Sequence, residues 1–254
     1  MIFSFCFGAI IGSFINSLIW RLHENKSILD RSCCPKCKKK IAWYDNIPVL
    51  SFIILHGKCR YCKKRISWQY PIVEIITGIL FVVVYLNNSQ FFTLQITDYR
   101  LLVTILRDWF IISVMIIVFI YDLRWYLILL DKIILPASVI VLVVNLFLGF
   151  NWLNLLFSAI IGSGFFLIQF LISKGKWIGA GDIGLGLFIG LALARWDYLI
   201  IAIMLAYVLG SIVGVILILI GRKQWGSQMP FGVFLAISTI ITIFWGEKIL
   251  AFLY

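Results

Sequence analysis

Long apolar runs recur through the whole chain, and they decide which solvent it can fold in. Candidate spans cover roughly residues 2–20, 71–87, 103–121, 133–150, 153–173, 183–195, 197–220 and 230–253. A helix of about 20 apolar residues crosses about 30 Å of hydrocarbon. It also satisfies its own backbone donors and acceptors, which lipid requires. The chain is 63% hydrophobic and 13% charged, whereas a soluble domain carries about 25% charged residues. No series of short segments with alternating polarity suggests a β-barrel. The sequence therefore predicts an all-α polytopic membrane protein with about eight transmembrane helices. The sixth run is short and merges into the seventh through Arg195-Trp196-Asp197. The first has no basic region ahead of it and no small-x-small cleavage site, so it reads as a retained span.

Charge sets the expected orientation. Twelve of the 22 Lys and Arg residues lie between positions 21 and 70. If that segment is cytoplasmic, strict alternation puts 18 of the 22 inside and the N-terminus outside. The net charge of +11 is then explained by topology and anionic lipid headgroups, with no need for nucleic acid.

The same segment holds five of the six cysteines. Cys34-Pro35-Lys36-Cys37 and Cys59-Arg60-Tyr61-Cys62 are two C-x-x-C knuckles separated by 21 residues. Two such turns can close a tetrahedral site around a structural Zn²⁺, in a segment too small to fold on its own core. Two disulfides or free thiols are the alternatives, and a reducing compartment disfavours the disulfides. Cys33 could substitute for Cys34, but the spacing favours Cys34. Cys6 reads as a small core hydrophobe. The expected domains are a first transmembrane helix (1–20), a cytoplasmic zinc-knuckle domain (21–70) and a seven-helix membrane domain (71–254). Gly8 and Gly12 form a G-x-x-x-G pair suited to close helix packing. No internal repeat is visible.

Eleven carboxylates can be weighed individually. Glu24, Asp30 and Asp45 lie in the polar segment, where solvation accounts for them. Asp98, Asp108, Asp197 and Glu247 fall near the outer side. Glu74 lies about one turn from the inner end of the second span. Asp122, Asp131 and Asp182 map to inner helix ends. Acids at membrane depth are costly and point to function. The plainer readings are an Asp122–Arg124 ion pair and an N-cap at Asp182. Two carboxylates on one side of the membrane can share a proton and activate water for peptide hydrolysis. Asp182 falls at a helix N-terminus and Asp122 at a helix C-terminus, so the dipoles assign Asp182 as the ionised member and Asp122 as the protonated one. His23 and His56 both lie in the polar segment. Gly179-Ala180-Gly181-Asp182-Ile183-Gly184 also matches G-x-G-x-x-G, but no strand precedes it as dinucleotide binding requires.

These residues resemble those of the bacterial type IV prepilin peptidases, the prepilin leader peptidase/N-methyltransferase family, over nearly the whole chain. Gly12-Ser13-Phe14-Ile15-Asn16 through Arg21-Leu22, the knuckles with Trp43-Tyr44-Asp45-Asn46 between them, Tyr70-Pro71-Ile72-Val73-Glu74, Thr77-Gly78, Gly179 to Asp182, and Pro230-Phe231-Gly232-Val233 carry the likeness. The resemblance implies that Asp122 and Asp182 are the catalytic aspartates of a GxGD-type protease, supported by Gly179 and Gly181. It implies that Cys34, Cys37, Cys59 and Cys62 hold Zn²⁺. It also implies a plasma-membrane enzyme that removes basic leaders from prepilins or pseudopilins of pilus or type II secretion systems. Cleavage would follow a glycine on the cytoplasmic side, and the new N-terminus would be methylated with S-adenosylmethionine. Glu74 and Gly78 are candidates for the methyl-transfer site. Two departures stand out. Ile128-Leu129-Leu130-Asp131 lacks a proline and is one residue longer than the family pattern, which leaves the role of Asp131 open. Val233 stands where the family has proline. Presenilin-type GxGD proteases share Tyr121-Asp122 but lack the knuckles, and a non-enzymatic zinc scaffold or transport component is the other alternative.

Overall fold

Apolar length becomes helix throughout. The computed structural model describes residues 1–28, 30–89, 99–224 and 227–253; Asp98 lies outside them. The helices are α1 (Ile2–His23), a short α2 (Leu50–Ile54), α3 (Gln69–Ser89), α4 (Tyr99–Trp125), α5 (Leu135–Phe147), α6 (Trp152–Ser173), α7 (Ala180–Leu193), α8 (Trp196–Leu219) and α9 (Phe231–Leu253). Among the described residues, seven helical segments are long and apolar enough to cross a membrane. The remaining expected span is α7, which has only 14 residues. The protein is a multi-pass membrane protein. Its chain divides into two compact units, Met1–Thr97 and Asp98–Tyr254.

In the first unit, α1 packs on α3 through the G-x-x-x-G pair. A Cβ on Gly8 would stand 2.8 Å from the Thr77 carbonyl oxygen and 2.9 Å from the Gly78 Cα. One on Gly12 would stand 2.8 Å from the Glu74 Cα. Backbone thus meets backbone, and any side chain at these positions would part the helices. Phe81, Ile15 and Ile19 are buried. The Asn16 amide donates to the Tyr70 carbonyl (3.2 Å) and accepts from the Gln69 amide (3.1 Å). Cys6 is exposed on α1 rather than buried in a core.

In the second unit, α7 is surrounded. Gly184, Leu185, Gly186, Phe188, Ile189, Gly190, Leu191, Ala192 and Leu193 are all buried, as expected for a helix that is apolar all round. Its glycines allow this. A Cβ on Gly186 would fall on the Gly162 carbonyl oxygen of α6 and 2.8 Å from the Gly162 carbonyl carbon. One on Gly190 would stand 2.6 Å from the Ser158 carbonyl carbon, also on α6. Met115, Ile134, Val141, Leu155, Phe166 and Leu235 fill the core around it. Between α4 and α5 the chain turns at Tyr126 (φ 55) and forms a single π-helical turn, Leu130–Ile134. Pro136 then opens α5, a position where its missing N–H costs nothing.

Candidate active site

Asp182 is the third residue of α7 and is buried. Its Oδ2 accepts a hydrogen bond from the Gly179 N–H at 2.9 Å, which satisfies one of the donors a helix start leaves over. Gly179 is the extended N-cap (φ −82, ψ 158), so Asp182 lies in the first turn rather than at the cap. The two loop glycines differ in what they permit. A Cβ on Gly181 would stand 2.8 Å from the Ile128 Cβ, whereas one on Gly179 would meet only ordinary contacts.

Asp122 lies in the last turn of α4 and is buried. Its Oδ2 accepts from the Val233 N–H at 3.2 Å, in the first turn of α9. Gly232 leaves room for this approach: a Cβ there would stand 2.9 Å from that same oxygen. Ile128 touches both sides of the site, with its Cδ1 3.4 Å from the Cβ position of Gly232. The two carboxylates lie within range of each other's charge, and the Tyr207 phenol within range of that of Asp182. Tyr207 packs against Phe231 (ring centroids 4.8 Å apart) and donates to Gln169 Oε1 at 2.7 Å.

This geometry corrects the dipole argument. The C-terminus of α4 alone would disfavour a carboxylate at Asp122, but the N-terminus of α9 meets the same group. Both acids therefore face a helix N-terminus, and the dipole contrast between them is smaller than the two carrying helices alone suggest, with Asp122 still in the last turn of α4. Arg124 does not pair with Asp122. It lies over the Trp125 ring, 5.7 Å from its centroid. Asp131 is exposed, while Leu130 and Ile128 pack inward against Gly184 and Gly181.

In the first unit, Cys34, Cys37, Cys59 and Cys62 bring their sulfur atoms within 4.8 Å of one another. The Cys34 and Cys62 sulfurs are 3.9 Å apart. Tetrahedral thiolates at about 2.3 Å from Zn²⁺ would be spaced by about 3.8 Å, whereas a disulfide needs about 2.05 Å. The four cysteines are free, and their arrangement fits one tetrahedral metal ion. The two knuckles share one backbone scheme. Cys34 N–H donates to Lys39 O and Lys38 N–H to Cys34 O, and Cys59 N–H donates to Lys64 O and Lys63 N–H to Cys59 O. Lys38 (φ 59) and Lys63 (φ 56) make matching left-handed turns. A local repeat is therefore present that four cysteines alone do not reveal. Cys33 is paired through its backbone with Lys40, outside the sulfur cluster. The Cys62 N–H, with smaller help from Tyr61, Cys34 and Cys62, lowers the Cys59 thiol to about 7. Asp45 is held below the usual carboxylate range by the Arg60 guanidinium, which reaches it in two bonds of 2.7 and 2.6 Å. It is thus engaged by knuckle two rather than simply solvated.

The comparisons with known proteins agree with this arrangement. A model of the bacterial Peptidase A24 N-terminal domain matches residues 6–88, and one of the Type IV leader peptidase family matches residues 109–215. The prepilin leader peptidase/N-methyltransferase of Aeromonas salmonicida (strain A449) is 32% identical over 279 residues, covering 96% of this chain and 90% of its own length. That of Pseudomonas putida is 30% identical over 275 residues, with the same coverage. That of Myxococcus xanthus is 43% identical over 81 residues, which is 32% of this chain and 24% of its own. This chain belongs to the type IV leader peptidase family. No solved structure matches it.

The chain is thus a membrane-embedded enzyme of the leader peptidase family. The matched segment 109–215 contains Asp122 and Asp182, and the segment 6–88 contains the sulfur cluster, Glu74 and Gly78. Glu74 is buried on α3, and its Oε2 accepts from the Val49 N–H at 2.7 Å, with a further hydrogen bond from the Ser13 hydroxyl. Val49 itself sits in left-handed backbone (φ 62), so Glu74 pins a strained turn. Gly78 faces α1: a Cβ there would stand 2.8 Å from Phe5 Cε2. Neither residue lines the cavity of about 640 Å³ bordered by Val49, Phe52, His56, Lys58, Arg65 and Trp68. Three features of the aspartate site escape sequence reasoning: Ile128, Gly232 and the Val233 N–H. For Gly232 and Val233 the signal is the Pro230-Phe231-Gly232-Val233 motif, far from both acids in sequence, and for Ile128 it is the altered segment Ile128–Asp131.

Proposed function

We propose that this enzyme is an aspartyl endopeptidase that cuts the basic leader from type IV prepilins or pseudopilins after a glycine and then methylates the new N-terminus. The observation that carries the reading is the pairing of two buried carboxylates, Asp122 and Asp182, each held by a backbone N–H at a helix start. One carboxylate takes a proton from water as its oxygen bonds the scissile carbonyl carbon. The other, protonated, donates to the carbonyl oxygen. The C–N bond then breaks, and the proton passes to the leaving amine. Gly181 and Gly232 permit the close approach that places these acids, and Gly179 supplies a donor.

Residues 21–70 form the zinc domain, with Cys34, Cys37, Cys59 and Cys62 as ligands to a structural Zn²⁺ that ties two knuckles into one body. Residue 1–20 and 71–254 segments supply the membrane helices, the latter carrying the protease. S-adenosylmethionine supplies the methyl group when bound. Glu74 acts in that step as a positioning residue through the Val49 turn, and Gly78 by letting α1 and α3 meet. The Lys and Arg distribution supports a bacterial inner-membrane enzyme with its N-terminus outside and its site on the cytoplasmic side. Because Asp45 is engaged by Arg60, the basic leader is drawn by lipid and by the remaining acids rather than by Asp45.

The test is incubation of the purified enzyme with a candidate prepilin and S-adenosylmethionine, read by mass spectrometry. Loss of the leader and gain of one methyl group are expected. Asp122→Asn and Asp182→Asn should each abolish cleavage at normal expression. Full cleavage by either variant would sink the aspartyl mechanism.

A further inference from the structure

α7 carries Asp182 at its start, and two properties bear on how its far end is held. Its 14 residues reach about 21 Å, short of the roughly 30 Å of hydrocarbon. Whichever end meets water, the other stops at membrane depth, where its last carbonyls have no solvent partner. In addition, it meets α6 through Gly186 and Gly190 set against the backbone of Gly162 and Ser158. Backbone against backbone fixes the spacing of the two helices, while the side chains that enter the glycine gaps of α7, Ile128 at Gly181, Leu130 at Gly184 and Phe166 at Gly186, lie in the half that carries Asp182 rather than at its Leu191 end.

A polar peg lies at this end of the helix. Asn145 of α5 is fully buried. Its Nδ2 donates to the Leu191 carbonyl at 2.7 Å. The Gly190 carbonyl next to it is already taken by the Ala194 N–H at 3.1 Å, so Asn145 serves the next carbonyl in the last turn. Its Oδ1 accepts from Arg107 Nη1 at 3.1 Å. Arg107 is in turn fixed by Asp108 (Nε at 3.0 Å and Nη2 at 2.9 Å from Oδ1) and lies over the Phe150 ring. Because the guanidinium can only donate, it forces the Asn145 oxygen toward itself and the amide N–H₂ toward Leu191. The buried ion pair thus orients the peg, and neither Arg107 nor Asp108 has a part in the chemistry described above.

We infer that Asn145, oriented by the Arg107–Asp108 pair, is a positioning residue that sets the axial register of α7 and thereby the place of Asp182. Leu191 and Asp182 are joined by nine residues of one helix, about 13 Å of stiff rod. A slip at one end is therefore delivered to the other. The inference rests on the peptidase reading of Asp182.

The test uses the full-length enzyme in lipid nanodiscs. Asn145→Asp keeps the acceptor for Arg107 and removes the donor to Leu191, and Asn145→Ala removes both. Steady-state cleavage of a prepilin should show kcat lower by tenfold or more, by the sensitivity of catalysis to misplacement of reacting groups, with KM within about twofold of wild type. Methylation of a pre-cleaved substrate, carried by the other unit, should be unchanged and reports an intact fold. Wild-type kcat in Asn145→Asp, a rise in KM alone, or loss of cleavage and methylation together would each overturn the positioning role. Asp122→Asn run in parallel separates the two readings. If it stays active, the peptidase assignment has failed. If it is dead while Asn145→Asp is fully active, only the peg has failed.

Discussion

Replacing Gly186 by alanine tests how closely α7 must lie on α6. The added Cβ would fall on the Gly162 carbonyl oxygen and stand 2.8 Å from the Gly162 carbonyl carbon, where ordinary contact begins near 3.4 Å. Neither atom belongs to a flexible side chain, so the helices themselves must part by at least about 0.6 Å at this point. Overpacking of this kind costs about 1–3 kcal/mol. Asp182 lies one turn upstream on the same helix, and a misplacement of about 1 Å at reacting groups can cost about 10²-fold in rate. Gly186→Ala should therefore lower prepilin cleavage by about 10- to 100-fold and lower the thermal midpoint by a few degrees. Gly164→Ala is the control, because nothing lies within 4 Å of its Cβ position on the same α6. The assay is leader removal from a purified prepilin, read by mobility or mass, beside a thermal melt of each variant. Cleavage by Gly186→Ala at the Gly164→Ala rate would refute the argument that this crossing sets the site.

Other expectations follow from the same geometry. Gly232→Ala puts a methyl 2.9 Å from Asp122 Oδ2 and should cut cleavage by about 10²-fold while methylation stays intact, as side-by-side mass spectrometry of both products will show. Metal analysis should find about one Zn²⁺ per chain. A strong chelator should release it and expose Cys34, Cys37, Cys59 and Cys62 to alkylation, leaving α4 to α9 folded by circular dichroism; protection of the four thiols after metal loss would contradict the cluster. Glu74→Gln keeps the shape but weakens the bond to the Val49 N–H, so methyl transfer should fall with cleavage near wild type, measured on pre-cleaved and intact substrates.

Much of this was legible because membrane folding leaves strong traces in sequence. Apolar runs gave the helices, and the excess of Lys and Arg between 21 and 70 set an expected orientation. The C-x-x-C pairs marked a cluster because thiolates three positions apart on one turn can reach one ion. Gly8 and Gly12 were read correctly as a packing pair. The same spacing at Gly186 and Gly190 was hidden inside the run beginning at Gly179, where the motif drew attention to chemistry instead. The duplicated knuckle is present in the residues as well, as Cys-x-x-Cys-Lys-Lys-Lys/Arg-Ile-x-Trp at 34–43 and 59–68, but it is only ten residues long and the reading of the cysteines as metal ligands passed over the rest; the matching left-handed turns at Lys38 and Lys63 make it evident. The dipole reasoning at Asp122 was incomplete for a different reason. It used only the helix that carries the residue, and the decisive partner, the Val233 N–H, lies 111 residues away. Long-range pairing of that kind leaves no local pattern.

That separation has a consequence for how the enzyme comes into being. Asp122 gains its backbone donor only when α9 has entered the membrane and turned its first residues toward α4. Until then the chain already holds both acids and the loop glycines, but the Asp122 carboxylate has no cap and Ile128 lacks one of its two neighbours. On the proposed aspartyl reading, a chain halted before α9 would carry both acids but not the Val233 donor to Asp122, and it should not cleave prepilin.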